Sequence, residues 1–103
     1  MFFVVCRRTG PEWDPSLPLE AQSDWAAHAE FMDELVTTGF VVLGGPLADE
    51  KTVVLAVEAA SEADVRATLS LDPWSGSHLV VDRVDAWTIR LDGRTASGHT
   101  ASS

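Results

Sequence analysis

His28 and Asp72 are the two residues of this 103-residue chain whose types and settings best suit proton chemistry. Histidine takes and gives a proton near neutrality, because its ordinary pKa lies near ~6.5. His28 stands in "WAAHAEFMDELVTTG" (25–39), where apolar residues recur at helical spacing. At 100° per residue, Ala21, Trp25, His28, Ala29, Met32, Leu35 and Val36 share an arc of roughly 120°. The ring therefore lies on the face that packs against the rest of the protein. Two readings follow: a hydrogen-bonded structural histidine, or a general acid or base at a cleft. Asp72 bears on the choice. It closes a second helical stretch just before Pro73, where a carboxylate meets the negative end of the helix macrodipole at a cost of a few tenths of a kcal/mol. A cation would offset that, and a protonated His28 is one candidate. The competing reading for Asp72 is the turn former of an Asp-Pro pair.

The remaining candidates are weaker singly. Gly44, Gly45 and Pro46 mark a bulge, or a close approach by a ligand, inside a strand. No Lys-Ser/Thr follows, so this is not a phosphate loop. Arg7 and Arg8 follow Cys6 and could lower a thiol pKa, but a buried strand cysteine is the simpler reading. His78 reads as a loop-edge histidine, with pocket lining as the alternative. The four tryptophans are core or interface anchors first. Trp74, next but one to Asp72, is the best placed to touch a ligand. Gly45, Pro46, Trp74 and Trp13 are the candidate substrate contacts. Only three histidines exist, His99 lies in a polar tail, and no Cys/His zinc spacing is present, so no metal is expected; no nucleotide cofactor is expected either.

These side chains need elements to position them. "FFVVC" (2–6) is a run of strand formers. "TGPEWDPSLP" (9–18) is a loop long enough to cover something, with Trp13 as its apolar anchor. The periodicity predicts helix one over about 19–38, with Gly39 as its left-handed stop. Strand two follows at 40–47, a turn at 47–52 and strand three at 52–58, a hairpin. Ser61 with Asp64 forms a loose capping box for helix two, which Pro73 forbids from continuing. Strand four spans 78–91 with a bulge midway. Residues 1–91 make the domain, and 92–103 read as a disordered polar tail.

The order β-α-β-β-α-β with right-handed crossovers predicts an α+β, ferredoxin-like fold: a four-stranded antiparallel sheet with two helices on one face. Strands one to three are apolar at nearly every position, so the uncovered face also wants burial. A second copy of the chain, sheet on sheet about a two-fold axis, is the economical cover.

Composition bounds the partners. Seven Lys+Arg against sixteen Asp+Glu give a formal charge of −9, which disfavours nucleic acid and anionic membranes. A hydrophobic content of 46% is too high for a disordered chain. No signal peptide and no run of ~20 apolar residues is expected, and a lone cysteine suits a reducing cytoplasm.

Taken together, "HAEFMDELVTTGFVVLGGPLAD" and "SEADVRATLSLDPWSGSHLVVDRVDAW" resemble the YCII-related (YciI-like) domain over about residues 2–91. The shared pattern is a helix-one His, a Gly, a strand ending in Gly-Pro, a Ser/Glu-started second helix ending in Asp-Pro-aromatic, and a late strand with an aromatic near its end, here Trp87. The resemblance implies a ferredoxin-like domain that dimerises sheet to sheet into an α+β barrel. It also implies a His–Asp pair in a cleft as catalytic centre, at His28 and Asp72, with the Gly-Pro turn at Gly45 and Pro46. Trp74 replaces the more usual tyrosine, and the loop before helix one lacks an arginine often found near its start. Three readings remain open: a small enzyme using the His–Asp pair for general acid/base chemistry, an elimination or isomerisation on a small cyclic metabolite, or a non-catalytic ligand-binding or regulatory homodimer. A purely structural interaction module is the third.

Overall fold

The computed structural model describes residues 1–94. The elements are β1 (Phe2–Arg7), a 3-10 turn (Leu19–Ala21), α1 (Trp25–Thr37), β2 (Val41–Pro46), β3 (Thr52–Val57), α2 (Glu62–Leu69) and β4 (Val80–Ala86). The strands form one antiparallel sheet in the order β2-β3-β1-β4. Both helices pack on one face of it: Leu35 from α1, and Val65 and Leu69 from α2, meet Val4 and Cys6 of β1, Leu55 and Val57 of β3 and Val84 of β4. This is the ferredoxin-like arrangement expected from the element order. Most of the expected tail, 95–103, lies outside the described residues.

Local chemistry explains the boundaries. Asp64 N–H donates to Ser61 Oγ at 3.1 Å and opens α2. Gly39, at φ +85°, turns the chain out of α1 as the C′ residue. Pro46 sits in β2, an edge strand, where its missing N–H leaves no ladder bond unmade. Register shifts place one extra residue at Val42 in β2 and one at Asp82 in β4, so the expected midway bulge of strand four falls at Asp82.

Three elements are shorter than their patterns predict. Helix one does not begin at Leu19: the chain makes a short 3-10 turn, breaks, and restarts at Trp25 after Asp24 at φ 59°. Gln22 causes the break. Its buried amide accepts from Asp14 N–H and donates to the carbonyls of Asp14 and Leu17, tying the preceding loop together. Helix two ends at Leu69, three residues before Asp72, which therefore occupies a turn past the helix end. Strand four stops at Ala86, although Trp87 N–H still reaches Met1 O and the Trp87 ring packs edge-on against Phe3.

Candidate active site

The first turn of α1 and the turn after α2 meet over the sheet, and that meeting brings His28 to Asp72. His28 Nδ1 lies 2.9 Å from both Asp72 carboxylate oxygens, and both residues are buried. Trp74 N–H donates to Asp72 Oδ1 at 2.9 Å. That local bond across two residues fixes the carboxylate before His28 engages it. An acceptor-only carboxylate at Nδ1 puts the ring proton there and the lone pair on Nε2. Nε2 has no hydrogen-bond partner among the described residues, and His28 lines a cavity of ≈ 450 Å³. A base with its proton pinned on one side and a lone pair on the other can accept a proton from a bound molecule.

The ring is held from its faces as well. The indole of Trp74 stacks on His28 with centroids 4.0 Å apart and planes 6° off parallel. On the other side of Trp74 the His78 ring stacks at 4.7 Å. His78 is wholly buried. Ser77 Oγ donates to Pro73 O and so accepts from His78 Nδ1 at 2.8 Å, which leaves His78 Nε2 to accept from Ser23 Oγ at 2.9 Å. Trp74 Nε1–H donates to Ser23 O at 2.8 Å. Every polar atom of this three-ring stack other than His28 Nε2 thus has a partner.

The cavity is walled by α1, by β2 and β3, and by the ends of β1 and the 72–81 segment, and its lining is mostly apolar. Its size suits a small-molecule ligand. Of the expected substrate contacts, Gly45, Pro46 and Trp74 lie on its wall. Trp13 does not. Its loop is drawn to the outer side of the stack by Gly10 N–H to His78 O and Glu12 N–H to Ser77 O. There Trp13 packs edge-on against Trp74 at 5.7 Å and His78 at 6.5 Å. Gly10 is required for that approach, since a Cβ would collide with the Ser77 carbonyl. Trp25 takes the wall position instead, 5.9 Å from the His28 ring.

Cys6 faces the same layer. Burial pushes its thiol pKa up to about 11, and the Asp72 charge adds to the effect, so the thiol stays protonated and inert at neutral pH. Neither neighbouring arginine offsets this.

Four residues of the site went unread in the sequence: Ser23, Trp25 as a wall residue, His78 as a buried stacking partner, and Arg8. Parity could have found Arg8. Phe2, Val4 and Cys6 face the helices, and Arg8 is the next residue in that alternation.

Neither the family models nor the curated proteins compared with the chain give a match. Among solved structures, the chain is similar to 5-chloro-2-hydroxyhydroquinone dehydrochlorinase (TftG) of Burkholderia phenoliruptrix, determined in complex with 2,5-dihydroxybenzoquinone. The TM-score is 0.61 at 23% identity, over 85% of this chain and 94% of that one, a likeness of fold.

Proposed function

We propose that the protein is a small acid/base enzyme in which His28, oriented by Asp72, moves a proton on a small, partly apolar ring compound. One observation carries the reading: a buried imidazole whose Nδ1 is held by a carboxylate while its unpartnered Nε2 belongs to a residue on the wall of an apolar cavity. In an elimination, Nε2 takes a proton, the electron pair left behind forms a double bond, and the leaving group departs from the neighbouring carbon. The resulting imidazolium stays paired to Asp72. Elimination is favoured over isomerisation by the fold neighbour, a dehydrochlorinase acting on a hydroxylated ring. Gly45, Pro46 and Trp74 would contact the substrate.

A homodimer completes the proposal. Phe3 and Val5 of β1, with Val54 and Ala56 of β3, are apolar residues on the face away from the helices; Val5 and Ala56 are buried already, Phe3 and Val54 are half-buried, and Leu43 beside them is 59% exposed. The ion pairs Arg7–Asp82 and Arg83–Asp85 border this group along β4. An apolar centre with a charged rim is the anatomy of a protein interface. No helix among the described residues is long and apolar enough to cross a membrane, and a buried free cysteine fits a reducing compartment such as the cytoplasm.

The test is chloride release and quinone absorbance with chlorinated hydroxyhydroquinones, run on the wild type, His28→Ala and Asp72→Asn. Turnover should fall by ~10²–10⁴ in both variants. Equal rates in the His28→Ala variant would refute the role of the imidazole, and binding of these compounds without turnover would point to a ligand-binding dimer. A monomeric mass by light scattering at micromolar concentration would remove the dimer.

A further inference from the structure

Arg8 lines the same cavity as His28, at the end of β1. The chain carries sixteen Asp and Glu and seven Lys or Arg residues, yet among the described residues no carboxylate pairs with Arg8. Arg7, Arg66 and Arg83 each have an acidic partner. Arg8 is held by other means. Its Nη1 donates to Glu50 O at 2.7 Å, and its guanidinium lies 5.2 Å from the Trp13 ring centroid. Its Nε is buried, and among the described residues neither Nε nor Nη2 has a hydrogen-bond partner. A guanidinium carries five N–H donors, and leaving buried ones unpaired is costly. A fixed charge kept clear of carboxylates on the wall of an apolar cavity is suited to receive one from outside.

The other charges on the wall do not oppose this. Asp72 is engaged by His28 and by Trp74 N–H, and Asp33 is exposed to solvent. Among the described residues that line the cavity, Arg8 alone carries a permanent positive charge.

We infer that the cavity takes a small ring compound bearing an oxyanion (a carboxylate, enolate or phenolate), with that oxygen bound by Arg8 and the ring among the apolar residues. This rests on the acid/base reading and names its substrate class. Arg8 would set which molecules present their proton to His28 Nε2, and Trp13 would serve as the platform that fixes the guanidinium. The loop at 9–18 would then matter for specificity even though Trp13 stands off the wall.

The test compares 4-hydroxybenzoate with 4-hydroxybenzamide, two ring compounds of one shape differing in charge, by isothermal titration calorimetry. The wild type should bind the acid about tenfold more tightly than the amide. Arg8→Gln should erase that preference, and Arg8→Lys should retain most of it. Because loss of the Trp13 contact could unfold the glutamine variant, the wild type is also titrated in rising sodium chloride. Affinity for the acid should fall while affinity for the amide holds. Equal binding of acid and amide, binding of neither at millimolar concentration, a preference that survives in a folded Arg8→Gln variant, or salt-independent binding of the acid would each overturn the inference. The preference is read without turnover. A His28→Ala variant that keeps it, whatever the outcome of the chloride assay, separates the anion site from the acid/base reading.

Discussion

Replacing Asp72 with asparagine should leave the fold standing and reverse the tautomer of His28. The carboxylate accepts from His28 Nδ1 and from Trp74 N–H, each at 2.9 Å. Asparagine keeps an oxygen for Trp74 N–H, and that bond orients the amide so that its NH₂ faces Nδ1. The NH₂ takes the place of Oδ2, 2.9 Å from Nδ1, where an Nδ1–H would meet it donor to donor; the ring with Nδ1 accepting is therefore favoured, its proton shifts to Nε2, and the lone pair facing the cavity is lost. No hydrogen bond disappears. One charge-assisted bond of ~1.5–3 kcal/mol becomes a neutral one of ~0.5–1.5, so stability should fall by about 1 kcal/mol. That is small against the ~5–15 kcal/mol of a domain. Loss of the base should cost ~10²–10⁴ in rate, or ~3–5 kcal/mol of barrier. Asp72→Ala is the contrast: it leaves both Trp74 N–H and His28 Nδ1 buried without partners, at ~1–3 kcal/mol each. The assay is ¹⁵N-resolved NMR of the imidazole with the ring neutral, beside thermal melts and turnover. The wild type should carry its proton on Nδ1, and the asparagine variant on Nε2. A wild type protonated at Nε2, or a variant that keeps the Nδ1 proton, would refute the orienting role of Asp72 whatever the rates.

Three further outcomes follow from the same packing. The Cys6 thiol, raised from 9.0 to about 11, binds its proton more tightly folded than unfolded, so its contribution is complete below about pH 9 and is lost as pH rises toward 11. Denaturant titrations should lose about 2–3 kcal/mol across that window, and Cys6→Ala should flatten the slope; a slope unchanged in the variant contradicts the burial argument. Trp74 is 1% exposed, so Trp74→Ala should cost ~3–5 kcal/mol, whereas Trp74→Phe keeps a ring between the two imidazoles and should cost ~1–2, chiefly the bond to Ser23 O, as read by melting temperature. A Cβ at Gly44 would stand 2.5 Å from Leu55 Cδ2, so Gly44→Ala should destabilise by ~1–3 kcal/mol, and less in a Leu55→Ala background; equal penalties in the two backgrounds would mean the strand gives way instead.

What could be read from the sequence divides along a physical line. Signals carried by one residue or by a strict period survive folding. Gly39 ends α1, Ser61 caps α2, and the order of strands and helices leaves few topologies to choose from. His28 was legible because it interrupts an apolar stripe, and Asp72 because Pro73 forces a turn beside it. Their pairing, by contrast, joins residues 44 apart, and only the charge argument at Asp72 and the family resemblance made it an expectation.

The misread segments are those where a side chain outbids the backbone. Gln22 sits at a position that continues the helical period, yet its amide makes three bonds to the loop at Asp14 and Leu17, which a helical residue there could not make. Asp24, just before Trp25, takes φ 59° and makes no side-chain capping bond, so no capping signal marks where α1 starts. His78 looked like a loop-edge residue because its neighbours are Ser, Gly and Ser. One neighbour and one distant serine allow it to be buried: Ser77 Oγ accepts from its Nδ1–H, and Ser23 Oγ, 55 residues earlier, donates to its Nε2. A polar ring enters a core only where each nitrogen is matched, and the match comes from chain segments far apart. Trp74 then stacks between one imidazole with both nitrogens satisfied and another with one left open. That asymmetry, more than the presence of two histidines, distinguishes the ring that can do chemistry from the one that holds it in place.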